Sequence, residues 1–262
     1  MPLVTTRREG AACVLTLDRP DKLNALSTEL ERDLEAALAS EDVRTSRVVV
    51  VRGEGRAFCA GADLSQFGDR DLASILEYYR TTGDVYEHVA ALPQPSIAAL
   101  HGWTLGGGLE LALACDFRVA DETARIGLPE VAIGIVPSSG GLLRLTRLVG
   151  PGRARELMLL RDHVDAAEAL RLGVVTEVVP PGEALARALE LAEALAGRPP
   201  LAVTPTPRGV ATSRLDRAPV KRSRRITPTT VNTKIHSSAT NPNRATLMTT
   251  SGSKVVNRPR GT

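Results

Sequence analysis

Two glycine-bearing segments are the first candidates for chemistry in this sequence. They are AFCAGADL at residues 57–64 and HGWTLGGGLE at residues 101–110, and each follows a predicted strand. Glycine lets a ligand approach the backbone closely. The three consecutive glycines also stand where a helix is predicted to begin, so unpaired N–H groups and the helix dipole favour negative charge there. Together the segments could form an oxyanion hole, although each alone also fits an ordinary tight turn.

Two glutamates interrupt apolar sequence near these segments. Glu110 directly follows the glycines among leucine and alanine residues, and Glu130 stands between Pro129 and Val131. Burial would raise the pKa of both carboxyl groups and would let one hold a proton while the other is ionised, as paired acid–base catalysis requires. The sequence leaves a second interpretation open, in which each acid is merely exposed or caps a helix.

Alternating strands and helices must position these residues. A Glu9–Gly10 turn predicts a hairpin with its second strand over 12–17, and Ser27 is a plausible N-cap for an amphipathic helix. The apolar run RVVVVRG at 47–53 is typical of a strand buried in a parallel sheet. The other predicted elements are a helix from about Asp71 to Ala91, a strand over 96–102, a helix over 106–114, a strand over 115–121 and a helix near Glu183–Leu195. This order predicts an α/β fold.

The composition excludes several classes of protein. Aromatic residues make up 3% of the 262 residues, so a surface that binds single-stranded nucleic acid by base stacking has almost no material. No G-x-x-x-x-G-K-[ST] phosphate loop occurs, which excludes a P-loop NTPase. The uncharged run at 89–109 is long enough to span a bilayer, but it contains two prolines and three consecutive glycines, so no membrane segment is predicted.

Cysteine usage and the N-terminus bear on the compartment. Cys13, Cys59 and Cys115 are widely separated and lack the spacing of a zinc site or a disulfide framework, so we expect no metal site and a reducing cytoplasm. The first apolar run ends at Asp18, too soon for a signal peptide, and no export is expected.

The chain changes character near residue 203. Residues 1–203 contain 21 basic and 29 acidic side chains, whereas residues 204–262 contain 12 basic and one acidic. The second segment is rich in Thr, Pro, Ser and Arg and lacks sustained helical periodicity. We expect a catalytic domain over 1–203 and a disordered basic tail over 204–262. Either a frameshift or a genuine basic arm would explain the change.

Four motifs together resemble the enoyl-CoA hydratase/isomerase family, the crotonase superfamily, over roughly residues 3–203. They are LDRPDKLNALS at 17–27, GRAFCAGADL at 55–64, PSIAALHGWTLGGGLELALACDFRVAD at 95–121 and IGLPEVAIGIVPSSGGLLRLTRLVG at 126–150. The resemblance implies a crotonase-like fold of repeated ββα units in two nearly perpendicular sheets, which binds acyl-CoA thioesters. It also implies a homotrimer or homohexamer.

The family's functional residues fall on matching positions of this sequence. The resemblance places the oxyanion hole at the backbone N–H groups of Ala62 and Gly107. It places the two catalytic acids of the hydratases at Glu110 and Glu130. Because both acids are present, and family isomerases often keep only the second, the pattern favours an enoyl-CoA hydratase.

Less specific matches to the family concern the residues that would bind the coenzyme A part of the substrate. Ala60 matches a backbone position that contacts adenine in relatives, and Lys22 and Arg56 are candidates near the nucleotide phosphates, with solvated surface charge as the alternative for both. Asp63 and Asp116 are expected to be structural hydrogen-bond acceptors. No cofactor is expected, since coenzyme A belongs to the substrate.

Three functions therefore stay in competition. The first is reversible syn addition of water across the 2,3 double bond of a 2-enoyl-CoA. The second is enoyl-CoA isomerisation or another reaction of the superfamily. The third is a catalytically impaired crotonase fold whose basic tail binds a polyanion. Activity would be impaired because the tail replaces the helices that complete the site and the trimer in relatives.

Overall fold

The strands of the protein form two sheets in the computed structural model, which describes residues 1–66 and 84–203. The strands are β1 Val4–Glu9, β2 Ala12–Leu17, β3 Val48–Gly53, β4 Ala57–Cys59, β5 Ser96–Leu100, β6 Trp103–Leu105, β7 Phe117–Asp121, β8 Arg125–Gly127, β9 Val164–Asp165 and β10 Glu177–Val179. A six-stranded sheet has the order β1-β2-β3-β5-β7-β10, and a four-stranded sheet has the order β4-β6-β8-β9. Only the β1–β2 and β8–β9 pairs of these described strands are antiparallel.

Helices connect most of the strands. They are α1 Thr28–Leu38, α2 Glu41–Thr45, α3 Asp84–Ala90, α4 Gly107–Ala114, α5 Gly141–Leu159, α6 Ala166–Arg171, α7 Ala184–Ala196 and α8 Pro200–Val203. Short 3-10 helices lie at Pro20–Lys22, Leu64–Gln66 and Glu130–Ile133. Helix α5 is interrupted at Gly150, where φ is 77° and the next residue is Pro151. No helix in the described ranges combines the length and apolarity needed to cross a lipid bilayer.

Local sequence explains several of these elements. The Ser27 hydroxyl accepts a hydrogen bond from the Leu30 amide at 3.2 Å, which confirms the predicted N-cap of α1. Leu30 and Leu34 on the same helix are fully buried, as its amphipathic pattern requires. Val48–Val51 of β3 is also fully buried and pairs in parallel with β2 and β5, so the predicted parallel sheet is confirmed.

Apolar layers cover both faces of the six-stranded sheet. Alternate side chains of β3 enter different clusters, because successive residues of a strand point to opposite faces. Val49 and Val51 pack with the apolar side of α1, and Val48 and Val50 pack with Ala188 of α7. The sheet is therefore sandwiched between α7 and a helical layer that includes α1, α3 and α4.

Helix α4 is fixed at both ends. At its start, a Cβ on Gly108 would lie 2.2 Å from the Cys59 carbonyl oxygen, so α4 approaches β4 as closely as only glycine allows. At its end, the buried Arg118 guanidinium donates to the carbonyl oxygens of Cys115 at 2.7 Å and Val174 at 2.7 Å. These contacts hold the helix that carries Glu110.

One predicted segment is described in part, and another lies wholly outside the described residues. The helix expected from about Asp71 to Ala91 is confirmed over Asp84–Ala90, and its part at 71–83 lies outside the described residues. The predicted tail, residues 204–262, also lies outside them.

Candidate active site

The two glycine-bearing segments meet through their backbones. The first follows β4 and the second follows β6, which are neighbours in the four-stranded sheet. Gly61 has φ of 100° and Gly106 has φ of 52°, a region that favours glycine. A Cβ on Gly61 would lie 2.9 Å from the Leu105 carbonyl oxygen and 3.5 Å from the Gly107 nitrogen. The separate sequence segments thus form one backbone cradle.

The predicted oxyanion donors, Ala62 and Gly107, lie side by side in this cradle. The Ala62 nitrogen is 3.7 Å from the position that a Cβ on Gly107 would take. Within the described part of the chain, neither amide N–H has a hydrogen-bond acceptor, although flanking groups do, for example the Gly61 carbonyl with the Leu26 amide at 2.8 Å. Two adjacent backbone donors are therefore available to a negatively charged oxygen.

Glu110 lies in the first turn of α4 and is held by backbone amides. Its carboxylate Oε1 accepts hydrogen bonds from the amides of Ser139 and Gly141, both at 2.8 Å, and the residue is only 4% exposed. Burial raises the pKa of Glu110, while the two amides and the nearby charge of Arg144 oppose that rise. The two amides and the charge of Arg144 thus stabilise the ionised form of the Glu110 carboxylate.

Glu130 opens the 3-10 helix at Glu130–Ile133 and reaches the cradle from another side. Its Oε1 is 3.4 Å from the position of a Cβ on Gly106, and the residue is 8% exposed. Its other oxygen, Oε2, has no hydrogen-bond partner among the described residues. Burial, with a smaller contribution from the charge of Glu110, raises the pKa of Glu130 to about 7. At neutral pH this carboxyl group can both hold and release a proton.

The four predicted groups therefore form one constellation. Two buried carboxyl groups with raised pKa values flank two backbone donors that have no acceptor among the described residues. Such a site can remove a proton at one point, deliver a proton at another and stabilise an oxyanion between them.

The residues predicted to bind coenzyme A lie at the edge of the cradle, in the case of Ala60, and on exposed turns, in the case of Lys22 and Arg56. Ala60 immediately precedes Gly61, and its amide is occupied by a hydrogen bond to the Leu23 carbonyl at 3.0 Å. Lys22 and Arg56 are exposed, and neither forms an ion pair with a described residue. Their turns touch, because a Cβ on Gly55 would lie 2.7 Å from Cβ of Pro20.

The two predicted structural acceptors are confirmed. Asp63 accepts hydrogen bonds from the Ser65 amide at 3.0 Å and from Arg19 at 2.6 Å. Asp116 accepts one from the Ser96 amide at 2.8 Å. Neither carboxylate belongs to the cradle.

Sequence reasoning missed several residues of the site. The Tyr86 hydroxyl oxygen and Leu26 Cδ1 each lie 3.0 Å from the position of a Cβ on Gly107. The amides that hold Glu110 were also missed. One signal was available for Tyr86, because an aromatic residue in a helix stands out where aromatic residues are scarce.

Comparison with known proteins agrees with this geometry. The family model described as enoyl-CoA hydratase/isomerase matches residues 7–242. A probable enoyl-CoA hydratase of Rhizobium meliloti is 44% identical over 189 residues, which cover 72% of this chain and 73% of that protein. A short-chain-enoyl-CoA hydratase of Clostridium acetobutylicum is 37% identical over 202 residues, covering 76% and 77%.

Solved structures show the same relationship. The crystal structure of an enoyl-CoA hydratase from Bacillus anthracis aligns with a TM-score of 0.76 at 36% identity, covering 80% of this chain and 83% of that one. An enoyl-CoA hydratase structure from Geobacillus kaustophilus gives a TM-score of 0.72 at 40% identity, covering 79% and 80%. The predicted crotonase-like fold is confirmed, and the chain belongs to the enoyl-CoA hydratase/isomerase family.

Proposed function

We propose that this protein is an enoyl-CoA hydratase that adds water reversibly, with syn stereochemistry, across the 2,3 double bond of a 2-enoyl-CoA thioester. The observation that carries the proposal is the placement of two buried glutamates beside two backbone donors for which residues 1–66 and 84–203 supply no acceptor. Family membership and the names of the relatives agree with it.

The backbone cradle would act on the thioester oxygen. Attack of water at the β-carbon moves negative charge onto that oxygen, and the amides of Ala62 and Gly107 would stabilise the resulting enolate. Because these donors are positioned before the reaction, they need no reorganisation when the charge develops. Removal of one such donor typically costs about 3 to 4 kcal/mol of activation free energy.

The two acids would divide the proton transfers. Glu110, whose ionised form is supported by two amides and Arg144, would deprotonate the attacking water. Glu130, with a pKa of about 7, would deliver a proton to the α-carbon. The roles would reverse in dehydration, so one proton shared by the pair serves both directions.

Binding of the coenzyme A part is proposed for Ala60, Lys22 and Arg56. Ala60 lies at the edge of the cradle, and the two basic side chains project from touching turns at the surface, where phosphate groups could reach them. We propose no cofactor, since the thioester and the two acids suffice for the reaction.

We also propose a homotrimer or homohexamer that works in the cytoplasm. Aliphatic side chains close in sequence to the loop that holds Glu110 are exposed, namely Val136 at 62%, Leu142 at 50% and Leu143 at 52%, and exposed aliphatic side chains of this kind favour an interface. The buried thiols of Cys13, Cys59 and Cys115 are compatible with a reducing compartment.

The test is hydration of crotonyl-CoA, followed by the loss of ultraviolet absorbance of the conjugated thioester, beside a parallel assay with a 3-enoyl-CoA. We expect rapid hydration and little isomerisation. Gly107→Pro removes the proposed N–H donor and should abolish hydration with both glutamates intact. Isomerisation without hydration, or full activity of Gly107→Pro, would contradict the proposal.

A further inference from the structure

Arg144 lies on α5 and touches the loop that binds Glu110. Its side chain is 16% exposed, its Nη1 donates to the Ser139 carbonyl oxygen at 3.0 Å, and its backbone N–H donates to the Gly140 carbonyl oxygen at 2.8 Å. Its Nη2 pairs with Glu87 of α3. One residue therefore binds two successive carbonyl groups of this loop.

These carbonyl groups lie in the same stretch of main chain as the amides that hold Glu110. The Ser139 N–H and the Gly141 N–H are the two donors to Glu110 Oε1. The guanidinium of Arg144 binds the Ser139 carbonyl, in the planar peptide unit that lies between the units of these two donors. The Gly140 carbonyl is bound by the main chain of residue 144, so that contact does not depend on the side chain. The Arg144 side chain thus fixes the main chain between the two donors without touching the carboxylate.

The loop is shaped to receive the guanidinium. Gly140 has φ of 96°, and a Cβ there would lie 2.0 Å from Arg144 Nη1. A side chain at position 140 would displace the guanidinium from its present place, and the positive φ independently favours glycine there.

Charge acts in the same direction as geometry. The positive charge of Arg144 lowers the pKa of Glu110 against the effect of burial, while Glu110 and Glu130 repel each other when both are ionised. The neighbouring thiols of Cys59 and Cys115 are neutral, because burial raises the pKa of each to about 12. Among the residues that the structure describes, Arg144 is therefore the cation whose charge favours the ionised form of Glu110.

From these contacts we propose that Arg144 is a positioning residue for Glu110, which orients the Ser139–Gly141 amides and links them through Glu87 to the helix that carries Tyr86. Its kinetic consequence rests on the proposed hydratase function, in which Glu110 is the base.

The kinetic test compares Arg144→Gln with Glu87→Gln, and uses Arg153→Gln as a matched control, because Arg153 is an exposed arginine on the same helix that pairs with Glu156. Arg144→Gln should lower kcat for crotonyl-CoA hydration by about 10- to 100-fold with KM changed by less than about threefold. In Arg144→Gln, the decrease of kcat on the acidic side of the pH profile should occur at higher pH than in wild type, because a higher Glu110 pKa keeps this base protonated to higher pH. Glu87→Gln retains the Arg144 charge and should show no such upward shift, and Arg153→Gln should behave as wild type.

A second readout does not require activity. We would titrate the Glu110 side-chain carboxyl by carbon NMR and measure hydrogen exchange at the Ser139 and Gly141 amides in wild type and Arg144→Gln. A higher Glu110 pKa and faster exchange at both amides support the proposal. An unchanged titration together with unchanged exchange overturns it. A mere loss of folded protein would leave the acidic side of the pH profile of the remaining enzyme in place and would lower the Glu110 pKa towards its ordinary value, because burial is what raises it.

The two readouts separate the two hypotheses. If the wild-type protein does not hydrate crotonyl-CoA, the proposed function fails, and the titration and exchange alone decide on Arg144. If Arg144→Gln does not fold, Arg144→Lys carries the same exchange measurement, because lysine keeps the charge but lacks the planar fork that spans Ser139 and Glu87.

Discussion

Glu110 and Glu130 are the same amino acid in two different surroundings. The Glu110 carboxylate receives two backbone amides and faces the charge of Arg144, whereas Glu130 stands on a 3-10 helix with Oε2 lacking a partner in the described part of the chain. Both are buried, but the Glu110 carboxylate has two amide donors from another segment, whereas the effect of burial on Glu130 is opposed by its own backbone N–H. In the proposed mechanism, the surroundings and not the residue type make one glutamate the base and the other the acid.

The largest expected effect comes from removing either proton-transfer group. Glu110→Gln and Glu130→Gln should each lower kcat for crotonyl-CoA hydration by about 100-fold or more, because an amide cannot carry the proton. Thioester binding should persist, since neither change alters the backbone cradle. Steady-state kinetics and calorimetric binding of a saturated acyl-CoA would measure both. Near-normal turnover in either variant would refute the division of roles.

A smaller effect is expected when only the support of Glu110 is disturbed. A Cβ on Gly141 would lie 2.7 Å from Glu110 Cγ, so Gly141→Ala must displace the carboxylate that the Gly141 amide holds. We expect a loss of about 10- to 100-fold in kcat. Gly152→Ala is the matched control on the same helix, because a Cβ there meets nothing within 4 Å. Equal activities of the two variants would show that the Glu110 position is not critical.

The pH profile reports the less compensated acid. With a pKa of about 7, Glu130 loses its proton as the pH rises, so kcat/KM for hydration should fall about tenfold per pH unit above about pH 7. The apparent pKa of this decrease belongs to the coupled pair of glutamates, because the charge of Glu110 contributes to it. Initial rates from pH 5 to 9 would show it. A profile flat to pH 9 would mean that Glu130 is not the proton donor.

Stability should reveal the same contrast with the smallest effect. The folded-state pKa of Glu130, about 7, lies above the ordinary value of about 4.3, so folding favours the protonated form and stability is lost as the pH rises between these values. The free energy of unfolding of the wild type should therefore decrease from pH 5 to pH 8 by about 1 to 3 kcal/mol more than that of Glu130→Gln. Urea unfolding at both pH values measures this difference. The same decrease in both proteins would show that folding does not raise the pKa of Glu130.

The sequence predicts elements whose cause is local. Ser27 caps α1, the valines of β3 are buried, and Glu110 stands out because a carboxylate breaks an apolar helix. The amides of Ser139 and Gly141 could not be predicted in this way. A backbone donor has no residue-type signature, and these donors lie 29 and 31 residues from Glu110 in the chain.

Tyr86 shows a second limit. Its contact with Gly107 depends on how α3 packs against α4, which no periodic pattern specifies. The motifs were sufficient to select Glu110, Glu130 and the amides of Ala62 and Gly107, which the structure places close together. The residues that set the properties of those groups came only from the three-dimensional arrangement.

The closeness of α4 to β4 has a consequence for how this site can evolve. Gly108 lies against the Cys59 carbonyl oxygen, and Gly61 lies against the Leu105 carbonyl oxygen, so main chain packs directly on main chain. Substitutions of side chains elsewhere therefore do not change the distance between these main-chain segments. Exposed side chains outside the cradle and outside the proposed interface make no such main-chain contact. We therefore expect sequence change at those positions to leave the reaction chemistry unchanged.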